Sequence, residues 1–452
     1  MPKFVTLLSF LVSLTVSAAA EADEIPTKVT ELAARFHKTM VVCPDRIWAD
    51  YSWNGLRVLF AYPKGETSYL WDASTNSIQA VKNDSLPPHL LTGSYNFFES
   101  EGLKALALEM NDSGTFDPFN LGVHEFFHYH GQSDWTHPAG GGRGTDYPLS
   151  WQSRFYRRMT FDNLKAYFEF GREEDLRKAR YWFEKWQREY PLEARATTDG
   201  YEGTARYLDT LASVVDSLGC SASDADLKKL AVQHVKNAFG YSVSGDYFAL
   251  DSEGYDIGAL AALILRFDGH DLKTWNIRMK RGETPLQVLL ERVAPLEEAE
   301  PAELREKFEA KVSAVNKNWG KLIDNDISNW SDRDYIRVSF PLKLVHTTYS
   351  PKFFARSVEL DRWLMPLALE LHLNSSNGGS SVRLQPNAVV FQSDPSNPCK
   401  DVRLFGITLV PRSALQFDSA TQTVAVETPS LVGRLAGQIK ADEAGFEYFC
   451  AE

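Results

Sequence analysis

Apolar positions along the chain fall into three successive periods. Over residues 26–40, Val29, Leu32, Ala33 and Phe36 recur at helical spacing. The pattern then becomes mixed. Residues 56–62 and 68–71 predict short strands separated by Pro63-Lys64-Gly65. Over residues 103–110, Leu106, Leu108 and Met110 alternate with Ala107 and Glu109, which predicts a strand closed by the turn residues Asn111-Asp112-Ser113-Gly114. This strand is expected at a sheet edge, where an extended peptide can add to it. From about 150 to 320 the period is helical: Leu176, Ala179, Phe183 and Trp186; Leu208, Leu211, Ala212 and Val215 before Gly219; Leu227, Leu230, Ala231 and Val235 before Gly240. Thr284-Pro285 opens another helix, and Leu304, Phe308, Val312, Val315 and Trp319 mark one more.

After Asn329 the period changes to two. Ile336, Val338, Phe340, Leu342 and Leu344 alternate with other residues, as do Leu367, Leu369, Leu371 and Leu373, and residues 402–410 and 422–428 look similar. With turns at 374–379 and 394–398 this predicts an all-β, sandwich-like domain. The predicted class is α+β: a mixed N-terminal region with an edge strand over 21–115, a mainly helical domain over 116–328 and the β domain over 329–452.

One stretch carries chemistry. Residues 123–130 contain His124-Glu125-Phe126-Phe127-His128, preceded by Asp117-Pro118 as cap and first helical residue and followed by Gly131 as a stop. At 3.6 residues per turn, His124 and His128 lie about 40° apart around the axis and one turn apart along it. Their ring nitrogens can share one tetrahedral Zn²⁺, and Glu125, about 100° from His124, can reach a water in an open fourth position. Burying two histidines and a glutamate side by side is costly unless they are paired or hold a metal. His130 points elsewhere and is expected outside the site.

Composition narrows the setting. Hydrophobic content of 44% and charged content of 24% are those of a globular chain. A net charge of −12 argues against a nucleic-acid or anionic-membrane partner. Residues 1–20 read as a secretory signal: Lys3 gives the positive region, residues 4–16 the apolar core and Ser17-Ala18-Ala19-Ala20 the small-residue cleavage site. No later apolar run reaches transmembrane length, so the product is expected in the periplasm or secreted. Four cysteines in an exported chain favour disulfides, with Cys399–Cys450 inside the β domain and Cys43–Cys220 between the earlier parts. The loop Pro138-Ala139-Gly140-Gly141-Gly142-Arg143-Gly144 is either a mobile flap or a plain surface loop, and lacks a phosphate-cradle pattern.

A catalytic zinc needs a third protein ligand. The best candidate is Glu202, in Asp199-Gly200-Tyr201-Glu202-Gly203-Thr204-Ala205-Arg206-Tyr207 at a helix start, with small neighbours that let another helix approach. Glu169 is its rival. Asp199 and Glu202 also fit a helix-capping arrangement. Here the chain resembles gluzincin-type zinc metallopeptidases, in which a His-Glu-x-x-His helix is completed by a glutamate from a later helix. The resemblance covers about residues 100–260. It implies His124, His128 and Glu202 as zinc ligands and Glu125 as the general base acting on a peptide or protein substrate. It also implies a tyrosine or histidine that stabilises the oxyanion, for which Tyr255 is the candidate beside its alternative as a core tyrosine. Asp209 either orients a ligand histidine or lies on a solvated helix face. The Gly-x-Met-Glu-Asn signature of aminopeptidases is missing, and Leu108-Glu109-Met110-Asn111 is a superficial echo. Two other readings stand beside this one. One is an exported non-catalytic binding protein whose zinc site is structural or vestigial; the other is an amidase acting on cell-wall peptides.

Overall fold

The computed structural model describes residues 11–12, 25–110, 117–136, 145–240, 243, 250–341, 352–374, 380–392, 396–399 and 404–451. Apart from β1 (Leu11–Val12), the leader expected at 1–20 lies outside the described residues, as do the turn at 111–114, the glycine-rich loop at 138–144, the turn residues 375–379 and Leu342 and Leu344 of the expected strand. The fold is α+β.

The amphipathic helix α1 (Thr27–Phe36) buries Val29, Leu32, Ala33 and Phe36, the stripe its spacing requires. It covers a mixed sheet of β1, β2 (Arg57–Ala61), β3 (Thr67–Asp72), β4 (Ser77–Lys82), β5 (Tyr95–Ser100) and β6 (Leu103–Glu109), ordered β1-β5-β6-β2-β3-β4. Val58, Phe60, Tyr69, Trp71, Leu106 and Leu108 belong to the main core with α1 and α2 (Pro118–Phe126). Leu59, Ala105 and Ala107 face the other way, onto Leu86 and Leu90. The strand expected at 103–110 therefore forms, but inside the sheet. Ala105, Leu106, Ala107 and Leu108 are all buried, the two-sided burial of an interior strand. Its neighbour β5 stands toward the edge, flanked by β1 only at Glu99 and Ser100.

The helical part packs into the same core, so the expected boundary at residue 116 does not interrupt it: one cluster runs from Val29 to Val312. After β7 (Thr145–Tyr147), α3 (Trp151–Phe170) and α4 (Glu173–Glu189) form a hairpin. The short α5 (Pro191–Ala196) precedes α6 (Tyr201–Leu218), followed by α7 (Asp224–Ala238), α8 (Leu250–Phe267), α9 (Leu272–Lys280) and α10 (Pro285–Leu290). Thr284 caps α10 through a reciprocal capping box with Gln287. The crossing of α6 and α8 is lined by glycine. A Cβ at Gly203 would lie 2.5 Å from the Gly258 Cα, and one at Gly258 would lie 2.8 Å from the Gly203 Cα.

Helix α11 (Ala302–Asn329) puts Phe308 and Val312 in that core and Ile323 and Ile327 against the C-terminal sheet. The β domain comprises β8 (Tyr335–Pro341), β9 (Ala355–Ser357), β10 (Arg362–Pro366), β11 (Leu371–Asn374), β12 (Ser381–Leu384), β13 (Val389–Gln392), β14 (Leu404–Pro411), β15 (Leu415–Asp418), β16 (Thr423–Glu427), β17 (Leu431–Ala441) and β18 (Glu447–Ala451). The first half of β17 pairs with β12 and the second with β18, so one long sheet turns a corner there. Val382, Leu384, Leu431 and Leu435 then cluster with Val338, Phe340, Val410 and Phe449 in a shared core, which is the sandwich-like arrangement. Of the alternating strand expected over 367–373, only the end forms, as the start of β11 at Leu371. Pro366 ends β10, and Leu369 is exposed where the chain passes to β11. Strand β7 joins this sheet parallel to β9, so the C-terminal domain takes in a piece of chain from before residue 328.

Both expected disulfides, Cys43–Cys220 and Cys399–Cys450, are formed, and no described cysteine is free. Among the described residues no helix is long and apolar enough to cross a membrane. These features are compatible with an extracellular protein.

Because α6 and α8 meet backbone to backbone, Gly203→Ala forces them apart. The expected loss of stability is about 1–3 kcal/mol, the cost of overpacking, read by chemical denaturation. A variant as stable as the wild type would show that the crossing yields freely.

Candidate metal centre

Helix α2 starts at Pro118, with the Asp117 carboxylate accepting from the Phe119 backbone N–H at 3.0 Å. It lies tight on its neighbours. A Cβ at Gly122 would fall 2.8 Å from the Phe36 ring and 2.9 Å from Leu108. From α6, Glu202, with 1% of its surface exposed, meets His124 of α2 and His128 in the turn that continues it. It does so at the helix start, where Asp199 is engaged by Arg157 through both carboxylate oxygens at 2.7 and 2.5 Å, and α6 has no side-chain cap. The capping arrangement read from Asp199 and Glu202 is thus absent, and Glu202 is directed to the histidines.

His124 Nε2 lies 3.4 Å from Glu202 Oε2, His128 Nε2 lies 3.0 Å from the same oxygen, and the two Nε2 atoms are 3.1 Å apart. Zinc holds nitrogen and oxygen ligands at about 2.0–2.1 Å in a tetrahedron, whose edge is then about 3.3–3.4 Å. The three atoms sit at that spacing with only small inward deviations. Two imidazoles and a carboxylate also match the donor preference of zinc. The residues present therefore fit a metal ion of this kind, and they are the group among the described residues that can hold one.

The surroundings fix the imidazoles. Asp209 Oδ2 is 3.0 Å from His124 Nδ1, and Asp209 is itself buried, so its place is in the site and not on a solvated face. Tyr255, near the start of α8, stacks on His124 with ring centroids 5.5 Å apart and planes 4° from parallel. Tyr201 stacks on His128 at 4.2 Å. Burial would lower the His124 pKa, but hydrogen bonds to the Asp209 and Glu202 carboxylates and the nearby Glu125 charge push it up to about 10. Burial also raises Glu125 above the usual carboxylate range. His128, His124 and a hydrogen bond from Tyr95 partly offset this, while the Glu202 charge adds to it.

The fold brings His124, His128 and Glu202 together, with Glu125 on the same helix as His124 and with Asp209 and Tyr255 against His124. Tyr201 and Tyr95 were missed. Tyr201 adjoins Glu202 in sequence and could have been found from that alone; Tyr95 arrives from β5, and nothing local in the sequence points to it. Glu169 is elsewhere, paired with Lys236 at the end of α3. His130 faces a separate cleft of about 530 Å³ lined by Trp48, Tyr51, Phe127 and Ile277. No protein-family model, curated protein or solved structure matches the chain.

If the three residues hold zinc, Glu202→Ala should weaken its binding by more than the roughly 10–100-fold that loss of an outer hydrogen-bond partner costs. Glu169→Ala should keep full metal content by elemental analysis. Zinc retained by the first variant and lost by the second would move the third ligand to Glu169.

Proposed function

We propose that this protein is an exported zinc hydrolase, most directly a metallopeptidase, that works on peptide bonds in the periplasm or outside the cell. The observation that carries this reading is the convergence of His124, His128 and Glu202 at tetrahedral spacing with Glu125, a fourth ionisable group that is not one of the three, on the same helix. A site built only to brace the fold closes its fourth position with protein and has no use for a buried carboxylate beside it. The gluzincin resemblance points the same way.

Zinc held there supplies Lewis-acid activation of water and of the scissile carbonyl. The chain's own residues do the rest. Glu125 removes the proton of the attacking water and delivers it to the leaving amine. Its raised pKa suits both halves of that cycle, because a carboxylate poised nearer neutrality takes and returns a proton at lower cost. Tyr95 holds the Glu125 carboxylate in place by hydrogen bond. Tyr255, packed flat on His124, is placed to donate its hydroxyl to developing negative charge on the carbonyl oxygen. An extended peptide can add beside β5, whose Tyr95 reaches Glu125, so the strand that receives the substrate also carries a residue of the site.

Glu125→Gln is the direct test. It keeps the size of the side chain and removes the base, so the variant should retain stoichiometric zinc while hydrolysis of a peptide library falls by about 10²–10⁴-fold or more. Turnover at the wild-type rate would remove Glu125 from the mechanism. A wild-type protein that binds zinc yet cleaves no peptide would favour a binding role.

A further inference from the structure

The metal helix does not continue as an ordinary α-helix. Past Phe126 it widens into a π-turn over Phe127–Gly131, and the backbone N–H of Gln132 donates to the Phe127 carbonyl at 2.8 Å. Gly131 makes the widening possible, since a Cβ there would sit 2.4 Å from the Phe127 ring. The wider turn brings the side chain of Gln132 beneath His128. Gln132 Oε1 is 2.5 Å from His128 Nδ1, and the side chain is fully buried.

The orientation of this amide is dictated by what lies behind it. Gln132 Nε2 is 2.8 Å from the Tyr201 carbonyl and 2.7 Å from Thr204 Oγ1. A carbonyl can only accept, and Thr204 spends its own proton on the Gly200 carbonyl at 2.7 Å. The amide nitrogen must therefore face α6, and the amide oxygen must face His128. An amide oxygen only accepts, so Nδ1 of His128 carries a proton, and in the neutral ring this leaves the Nε2 lone pair for a metal ion shared with Glu202 and His124.

We infer that Gln132 is a positioning residue for the metal. It sets the tautomer and aim of His128 and ties that ligand to the first turn of α6, the turn that carries Glu202. Asp209 serves His124 in the same way from the third turn of α6. His124 of α2 and His128 of the π-turn are thus both oriented from the helix that supplies the third ligand, and the three donors are set as one unit. This rests on the metal-centre reading, which it extends to residues outside the His-Glu-x-x-His pattern.

The test uses the full chain as wild type, Gln132→Leu and Gln132→Glu. Zinc affinity is measured by competition with a chromophoric chelator, the visible spectrum is taken with Co²⁺ in place of zinc, and the stability of each metal-free protein is followed in denaturant. Gln132→Leu should weaken zinc binding by about 10–100-fold and alter the Co²⁺ spectrum. Gln132→Glu keeps an acceptor for His128 but turns an oxygen in place of the amide N–H toward the Tyr201 carbonyl and Thr204, so it should bind zinc more tightly than the leucine variant and less tightly than wild type. If the leucine variant does not fold, Gln132→Met, closer in shape, takes its place. A variant lacking the amide that loses stability but binds zinc as tightly as wild type overturns the inference and leaves the metal centre standing. A wild-type protein that takes up no zinc overturns both.

Discussion

The organisation of this protein depends on one electrostatic constraint: several negative or lone-pair-bearing groups are buried against one another. Glu202 and Asp209 are 1% and 3% exposed, and His124, between them, is 8% exposed. Carboxylates taken out of water are costly unless positive charge meets them. The rise of His124 to about 10 expresses the same fact, since the place favours whichever state brings a positive charge. A divalent cation satisfies it more completely than a proton, because it accepts all three donors at once. The backbone is drawn in on both sides of the site: α2 is pressed to the sheet at Gly122, α6 meets α8 at Gly203, and both contacts leave too little room for side chains.

The start of α6 is held from the far side by a second buried charge cluster. Arg157 grips Asp199 with two hydrogen bonds, and Arg154 pairs with Glu193 and Glu253. Such networks are weak arguments for stability, because desolvation offsets much of the Coulomb gain. Their effect here is geometric. They join α3, α5, α6 and α8 at the residues just before Glu202 and Tyr255, so the ligand and its stacked neighbour share one anchor. A planar guanidinium bound at two points also resists rotation in a way a single hydrogen bond does not.

Much of this was legible in the sequence, and the exceptions have physical causes. His124, Glu125 and His128 were readable because helical spacing alone brings them to one patch. Glu202 was readable because the small residues around it announce a close helix crossing, and Gly203 is where α8 arrives. An oxidising compartment and an even cysteine count point to disulfides but leave three connectivities open, and the fold selects Cys43–Cys220 and Cys399–Cys450. Gln132 was not legible. Four residues past His128 it falls on the same helical face, but Gly131 reads as a helix stop in the sequence, whereas the helix runs on through a π-turn as far as Gly131 and carries Gln132 at its end. The edge strand was misplaced because alternation was weighed above the continuous burial of Ala105 to Leu108, which marks an interior strand. The break after Pro366 was hidden because leucines at alternate positions continue through a corner of the sheet.

The C-terminal β domain carries no cluster of metal-binding side chains among the described residues, yet it bears on the site through the chain that leaves it. After the metal helix the chain returns at β7, which is added to the β-domain sheet beside β9. Tyr147 of β7 donates to Asp324 of α11 at 2.5 Å. Two residues later, Asn316 of α11 closes a pair of hydrogen bonds on the backbone of Leu149, at 2.8 and 3.0 Å. Helix α11, at 28 residues about 42 Å long, has its first half in the core of the metal centre and its second half on the β sheet. The segment 145–149 is therefore fixed on two sides before it enters α3, whose Arg154 and Arg157 anchor the start of α6. The β domain thus acts as a brace: it holds the segment 145–149 and, through α3, the entry of the helix that bears Glu202.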